Sequence, residues 1–174
     1  MLRTVLFAMT GLLAIAPALA EDQKYEAVLV GTQEVPAVLT GARGGFQARL
    51  SDDGTSLQYR LAYADLEGDV TQAHIHIGQR GANGGVAVWL CSNLDSPPTP
   101  AGVQACPDPP ALITGTITAD HVVGPLSQGV SPGEFEAIVA ALRRGLAYAN
   151  VHTSTSPGGE IRSQLDHSGH NLGR

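Results

Sequence analysis

The sequence is poor in cysteine and in basic residues, and each shortage excludes a class of protein. Only 2 of its 174 residues are cysteine, so the chain cannot rely on many crosslinks and is long enough to bury a core of its own. The 10 Lys and Arg residues are outnumbered by 16 Asp and Glu and form no basic patch, so we expect no nucleic-acid partner. Past residue 20, no apolar stretch is long enough to span a membrane.

Signatures of several enzyme classes are also absent. The sequence has no Gly-x-Ser-x-Gly motif of the kind that carries a nucleophilic serine. Residues 78–85 are rich in glycine, but no strand–helix unit surrounds them, so they do not form a phosphate-binding loop. No internal repeat occurs. We therefore assign no catalytic residue and favour a protein that is not an enzyme.

The N-terminus has the pattern of a cleavable signal peptide. Arg3 supplies a positive charge, an apolar run follows at residues 5–15, and Ala18-Leu19-Ala20 gives the small-x-small pattern that signal peptidase reads. A transmembrane anchor is the alternative, but the run is shorter than the roughly 20 residues that a spanning helix needs. No cysteine at the cleavage point could carry a bacterial lipid anchor. The pattern predicts cleavage after Ala20 and a periplasmic or secreted protein.

The rest of the chain has the length of one domain, which we place at residues 21–166, with a frayed polar tail at 167–174. Exported cysteines that are few and even in number usually pair, so Cys91 and Cys106 are expected to form a disulfide. The alternative is that both remain thiolates and bind a metal.

Short segments with period-two hydrophobic alternation dominate this domain, separated by Gly, Pro, Asn and Asp. Strands are predicted at residues 25–30, 46–50, 57–63, 70–77, 86–90, 112–119, 146–152 and 160–165. One helix interrupts them, since Ser131-Pro132-Gly133-Glu134 matches a capping box with Pro132 at the first helical position. The predicted fold is all-β, an antiparallel sandwich or barrel with Greek-key-like connections and one short helix.

Three histidines are the candidate site. His74 and His76 lie on one face of the 70–77 strand, about 7 Å apart, so both could reach one ion. His152 lies near the end of another strand, and it would join them if the last hairpin lies beside the 70–77 strand. Three imidazoles with an open position suit Cu or Zn. Glu160, across the hairpin loop, is expected to orient a ligand imidazole from behind.

Hydrogen bonding is the alternative role for these histidines. Imidazoles in strands can anchor the backbone of glycine-rich loops, and such loops follow His76 and precede Glu160. The other histidines carry less information: His121 is expected to be solvated in a turn, and His167 and His170 fall in the predicted tail.

Several motifs in a fixed order carry a family resemblance. TQEVP (32–36), AHIHIG (73–78), GANGG (81–85), LC (90–91), YANVHT (148–153) and PGGEIRSQ (157–164) resemble the CHRD (chordin) domain over roughly residues 25–165. The ending RSQ departs from the usual Arg-Gly-Gln, at positions that include no candidate ligand. The resemblance implies a β-sandwich or barrel that bacteria use widely in exported proteins, and it implies no known reaction.

These observations predict an exported CHRD-domain binding module for a transition metal, Cu or Zn. A structural or protein-interaction domain without a metal is the competing hypothesis, and it would require a protein partner. A His-x-His strand on a small exported barrel is also similar to copper–zinc superoxide dismutase. That enzyme needs a bridging histidine and a histidine-rich zinc loop, whereas residues 78–85 contain no histidine, so this is a distant alternative.

Overall fold

In the part of the chain that the structure describes, nine strands form one antiparallel sheet that curves into a nearly closed barrel. The computed structural model describes residues 23–95 and 99–167; the predicted signal peptide and its cleavage site lie outside them. The strands are β1 (Lys24–Val30), β2 (Arg43–Leu50), β3 (Leu57–Ala64), β4 (Val70–Ile77), β5 (Gly85–Ser92), β6 (Ala111–Ile117), β7 (Ala147–Thr153), β8 (Ile161–Gln164) and β9 (Asp166–His167). In the described ranges the α-helical segment is α1 (Phe135–Arg143), and short 3-10 turns occur at Gly31–Gln33, Ala119–His121 and Leu126–Gln128.

The strand order explains how distant parts of the sequence meet. Neighbouring strands follow the order β5-β4-β7-β8-β1-β2-β3-β6, and β9 pairs with β1. The connections from β3 to β4 and from β6 to β7 therefore run between strands that are not neighbours. As a result β4 lies between its hairpin partner β5 and the late strand β7, with which it pairs over most of its length.

The barrel closes where its two edge strands, β5 and β6, approach each other. The hydroxyl of Tyr59 on β3 donates to the carbonyl of Leu90 on β5 at 3.2 Å, and Gln104 Nε2 donates to the same carbonyl at 3.2 Å. A disulfide joins Cys91 at the end of β5 to Cys106 in the connection that leads to β6, which confirms the predicted pairing. The connection between the edge strands is thus fixed to the barrel by covalent and hydrogen bonds.

Burial separates two kinds of strand. β1 and β3 alternate between buried and exposed residues, as expected for a sheet with one face on the core and one face in water. β4 has four consecutive buried residues, and β7 is buried throughout. The outer face of the sheet is therefore covered at β4 and β7, where the loops after β4 and β7 fold over it.

The helix begins later than the sequence predicted. Gly133 adopts a positive φ of 84°, a left-handed conformation that cannot continue a helix, so Pro132 and Gly133 form a turn and α1 starts at Phe135. Half of the predicted capping box is present, because Glu134 Oε2 accepts a hydrogen bond from the Ser131 amide at 2.8 Å. The apolar face of the helix packs on the core as predicted.

The predicted tail also begins later. Asp166 and His167 form β9 by pairing with Glu26 and Tyr25, and the His167 ring packs edge-on against the Tyr25 ring with centroids 5.4 Å apart. His167 is therefore part of the sheet. His170 and the rest of the predicted tail lie outside the described residues.

Candidate metal centre

The three candidate histidines lie together on the outer face of β4 and β7. Ala73 and Ile75 on β4 are fully buried in the barrel core, so the alternate residues His74 and His76 point away from it. The antiparallel pairing places Gln72 opposite His152, His74 opposite Asn150, and His76 opposite Tyr148. The final hairpin thus lies beside β4, as the histidine hypothesis required.

The imidazoles are close enough to bind one ion. Each offers one nitrogen, and these nitrogens all lie within 4.8 Å of one another. The closest approach joins Nδ1 of His74 to Nε2 of His152 at 3.2 Å. All three side chains are buried, with exposed fractions of 2 % for His74, 7 % for His76 and 6 % for His152.

Backbone carbonyls orient two of the three rings. Nδ1 of His76 donates to the carbonyl of Gly84 at 3.0 Å, and Nδ1 of His152 donates to the carbonyl of Pro157 at 2.9 Å. With the proton held on Nδ1, each ring presents the lone pair of Nε2 to the cluster. Histidines that bind metals are oriented by such bonds on the other ring nitrogen.

Two ring nitrogens in the cluster have no hydrogen-bond partner. Nε2 of His74 and Nε2 of His76 are both buried and unpaired among the described residues. A buried polar atom without a partner costs about 1–3 kcal/mol, so a native protein rarely leaves two side by side. A cation bound between the rings would accept the lone pairs of both Nε2 atoms.

Irregular pairing with β5 accompanies this arrangement. The register between β4 and β5 shifts between Ala73 and His74 and again between Ile75 and His76. Such bulges twist a strand locally and redirect its side chains, and they are frequent next to functional sites. Here Trp89 of β5 pairs with His74, and its ring meets the imidazole edge-on with centroids 4.3 Å apart.

Tyr148 and Arg162 form the other side of the cluster. The Tyr148 ring stacks on His76, with centroids 4.8 Å apart and planes 3° from parallel. The guanidinium carbon of Arg162 lies 4.2 Å from the centroid of the same tyrosine. Arg162 also donates to the Asn83 side chain and to the Ala82 carbonyl, both at 2.9 Å, which holds the loop between β4 and β5 over the site.

The comparison with known families agrees with the resemblance seen in the sequence. Residues 25–165 match the model of the CHRD domain. The chain belongs to the CHRD domain family. No curated protein and no solved structure matches it. The three histidines all lie inside the CHRD domain, so the candidate site is built from the domain itself.

Burial keeps the histidines of the CHRD domain neutral. Loss of solvation lowers the pKa of His74 to about 2 and that of His76 to about 4, although the Gly84 carbonyl partly opposes the shift at His76. Burial also lowers the pKa of His152. Neutral imidazole is the form that binds a metal, so the site is in its binding-competent protonation state at neutral pH.

Glu160 does not orient His152, which corrects the role expected from the sequence. Nδ1 of His152 donates to the carbonyl of Pro157, and its Nε2 faces His74, so neither ring nitrogen meets Glu160. The Glu160 carboxylate instead accepts bonds from the hydroxyls of Thr40 and Thr153 and from the Glu67 amide, at 3.0, 2.7 and 2.9 Å. It joins three loops behind the site, and the backbone carbonyl of Pro157 takes the orienting role.

Trp89, Tyr148 and Arg162 belong to the site but were not predicted from the sequence. Trp89 pairs with His74 across the irregular register of β4 and β5, and Arg162 pairs with Asn150 across β7 and β8, so strand pairing brings both to the cluster. Asn150 pairs with His74 across the sheet, and its Oδ1 lies 3.0 Å from Nε2 of His152. Tyr148, Asn150 and His152 alternate along the YANVHT segment and share one face, so this segment was the available signal for Tyr148.

His121 lies away from the site, as expected. It is exposed in the 3-10 turn Ala119–His121, and its Nδ1 accepts a hydrogen bond from the Thr118 amide at 3.2 Å.

Among the described residues, no helix is both long and apolar enough to cross a membrane.

Proposed function

We propose that this CHRD domain is a binding module that holds one Cu or Zn ion through His74, His76 and His152. The observation that carries the proposal is the pair of buried, unpartnered Nε2 atoms of His74 and His76 beside a third imidazole. Desolvating these atoms without any bond is costly, and a bound ion would offset that cost.

The spacing of the donors supports the same assignment. Two nitrogens that bind one tetrahedral ion at about 2.0–2.1 Å are about 3.3–3.4 Å apart. The three rings offer one nitrogen each, and these nitrogens all lie within 4.8 Å of one another, so a small approach of the rings would reach this spacing. In the metal-free protein Nδ1 of His74 donates to Nε2 of His152 at 3.2 Å, and an ion bound by Nε2 of each ring would replace this hydrogen bond.

A structural or protein-interaction domain without a metal is the second candidate. It is supported by an apolar row on the outer face of the sheet, where Val28, Gly45, Ala62 and Leu112 pair in sequence across β1, β2, β3 and β6. Val28 is 57 % exposed and Leu112 is 52 % exposed. In this hypothesis the histidines only anchor the two loops that contain Gly84 and Pro157, through hydrogen bonds to the carbonyls of these residues.

Metal content and titration distinguish the two candidates. Any bound metal is removed from the purified mature protein with a chelator, and the protein is then titrated separately with copper and zinc salts. Elemental analysis measures the metal content of the protein after each titration. We expect one ion per chain for the wild type and for His121→Ala, and loss of stoichiometric binding for His76→Ala. Equally weak binding by all three proteins would contradict the metal assignment and leave the interaction role.

Export is part of the proposal. The disulfide between Cys91 and Cys106 is consistent with an oxidising compartment, as is the signal-peptide pattern before residue 21. Intact-mass measurement of protein from the exported fraction tests it, with cleavage after Ala20 expected. A mature species that retains residues 1–20 would contradict this part of the proposal without affecting the metal site.

A further inference from the structure

The donor set of the histidine cluster carries no negative charge. Within the described part of the chain, the group of His, Cys, Asp and Glu atoms that meet at this point consists of His74, His76 and His152 alone. Histidine binds a metal as neutral imidazole, so these three ligands bring no negative charge to the ion. The ligands therefore do not neutralise a bound ion, and its full charge is buried. The solvation cost of burying an ion rises with the square of its charge, so a divalent ion pays about four times the cost of a monovalent one.

A buried positive side chain lies beside the cluster. Arg162 is 3 % exposed, and its guanidinium lies over the Tyr148 ring that stacks on His76. Its hydrogen bonds go to neutral oxygens of Asn83 and Ala82. The acid that acts on it electrostatically is Glu34, and burial raises the pKa of Glu34 to about 7, so that its charge is only partial at neutral pH. The positive charge of Arg162 therefore disfavours a divalent ion more than a monovalent one.

The walls of the site also limit further ligands. Zn²⁺ bound by three histidines takes a water or another donor in its fourth position, so the ion needs room for that ligand. Around the cluster stand the Trp89 ring at 4.3 Å from His74 and the Tyr148 ring at 4.8 Å from His76. The oxygen on the Nε2 side of His152 is the neutral Oδ1 of Asn150, at 3.0 Å. A monovalent ion has the lower cost of burial without an anionic ligand, so it fits this setting better.

We infer that the site selects Cu(I) over Cu(II) and Zn(II), because a neutral three-imidazole donor set is enclosed by two aromatic rings and a buried guanidinium. The inference rests on the proposed function, since it concerns the ion that occupies the same site. The proposed function names copper or zinc, and this inference specifies copper in the oxidation state Cu(I).

The decisive comparison is between three ions on the same stripped protein. Cu(I) is supplied without oxygen as its bicinchoninate complex, and Cu(II) and Zn(II) are supplied in matched competition with chelators. Trp89 is the only tryptophan of the chain and lies against His74, so its fluorescence reports occupancy directly. We expect Cu(I) to bind at least about 100-fold more tightly than either divalent ion. For copper, that ratio raises the reduction potential of the bound ion by about 120 mV over the aqueous couple, at 59 mV per tenfold.

A nearly isosteric substitution tests the physical cause. Asn150→Asp places a negative oxygen where Oδ1 already lies 3.0 Å from Nε2 of His152. We expect the affinities for Zn(II) and Cu(II) to rise at least about tenfold, while the affinity for Cu(I) changes by less than about threefold. Gln58→Glu, at an exposed position on β3, is the control and is expected to change none of the three affinities.

The outcomes separate this inference from the function on which it rests. Zn(II) or Cu(II) binding as tight as Cu(I) in the wild type would overturn the selectivity and leave the metal module in place. An equal gain for all three ions in Asn150→Asp would overturn the charge argument. Failure of the wild type to bind any of the three ions would overturn the proposed function itself.

Discussion

Nδ1 of His74 lies 3.2 Å from Nε2 of His152, although 78 positions separate the two residues. The contact exists because β7 pairs with β4 in a register that places Gln72 opposite His152 and His74 opposite Asn150. His74 and His152 are therefore diagonal neighbours on one face of the sheet, a separation that long side chains can span. The candidate site depends on this one register, since a slip by one residue would turn the two histidines to opposite faces.

The loop between β4 and β5 supports the site through Gly84. A Cβ at Gly84 would overlap the carbonyl oxygen of Ile77, so Gly84→Ala must displace the backbone. The Gly84 carbonyl accepts the Nδ1 proton of His76, and the displacement would remove that orienting bond. We expect a loss of about 2–4 kcal/mol in the free energy of unfolding and weaker metal binding, measured by urea denaturation and by titration.

Gly81→Ala in the same loop is the control for this substitution. Gly81 has a positive φ of 78°, but a Cβ there meets nothing, so only backbone strain of about 1 kcal/mol is expected and metal binding should be retained. Equal loss of metal binding in both variants would show that general loop disorder, rather than the His76 contact, is responsible.

The stability of the metal-free protein should fall in mild acid. The pKa of His76 is lowered from 6.5 to about 4, and the pKa values of His74 and His152 are lowered as well. Between pH 6.5 and the lowered native pKa values, the histidines of the unfolded chain bind protons that the native protein excludes. The free energy of unfolding is therefore highest above pH 6.5 and declines as the pH falls toward 4. Each histidine contributes about 1.4 kcal/mol per pH unit. Urea denaturation at pH 7.5 and pH 5 measures the change, and constant or higher stability at pH 5 would contradict it.

Glu34 should change the free energy of unfolding with pH in the direction opposite to the histidines. Burial raises its pKa from 4.5 to about 7, so the native protein binds a proton more tightly than the unfolded chain. Its contribution is full below pH 4.5 and is lost as the pH rises through 7. Glu34→Gln keeps the shape without the charge, and we expect it to raise the free energy of unfolding by about 2–3 kcal/mol at pH 8 and by little at pH 4.

Exposed Glu26→Gln on β1 is the control for Glu34→Gln and should change stability little at either pH. If Glu34→Gln is destabilising at pH 8, the carboxylate is ionised in the native protein and its attraction to Arg162 outweighs the cost of burial.

The disulfide should contribute strongly to stability. Cys91 and Cys106 enclose a loop with a sequence separation of 15, for which chain entropy predicts about 3 kcal/mol. Replacing both cysteines by serine should lower the free energy of unfolding by about that amount while α1 and the histidine site remain formed. Thiol labelling of the untreated wild type is expected to find no reactive cysteine, and labelling of both would contradict the pairing.

Much of the fold could be predicted from the sequence because its signals are local. The alternation of Leu57, Tyr59, Leu61 and Tyr63 marks β3 without reference to any other strand, and the bounds of β4 agree with the prediction at both ends. Local patterns failed where backbone conformation mattered, as at Gly133, whose positive φ delays the start of α1. They also failed at His167, which is polar in sequence but pairs with β1.

The sequence by itself determined the strands, the family, and the shared face of His74 and His76, since side chains alternate along any strand. Only the tertiary structure decided that His152 meets them, that Pro157 and not Glu160 orients it, and that Trp89, Tyr148 and Arg162 surround the cluster. The reason is that these contacts depend on strand order, register and bulges, which arise from the packing of the whole barrel and leave no periodic signal in the segments themselves.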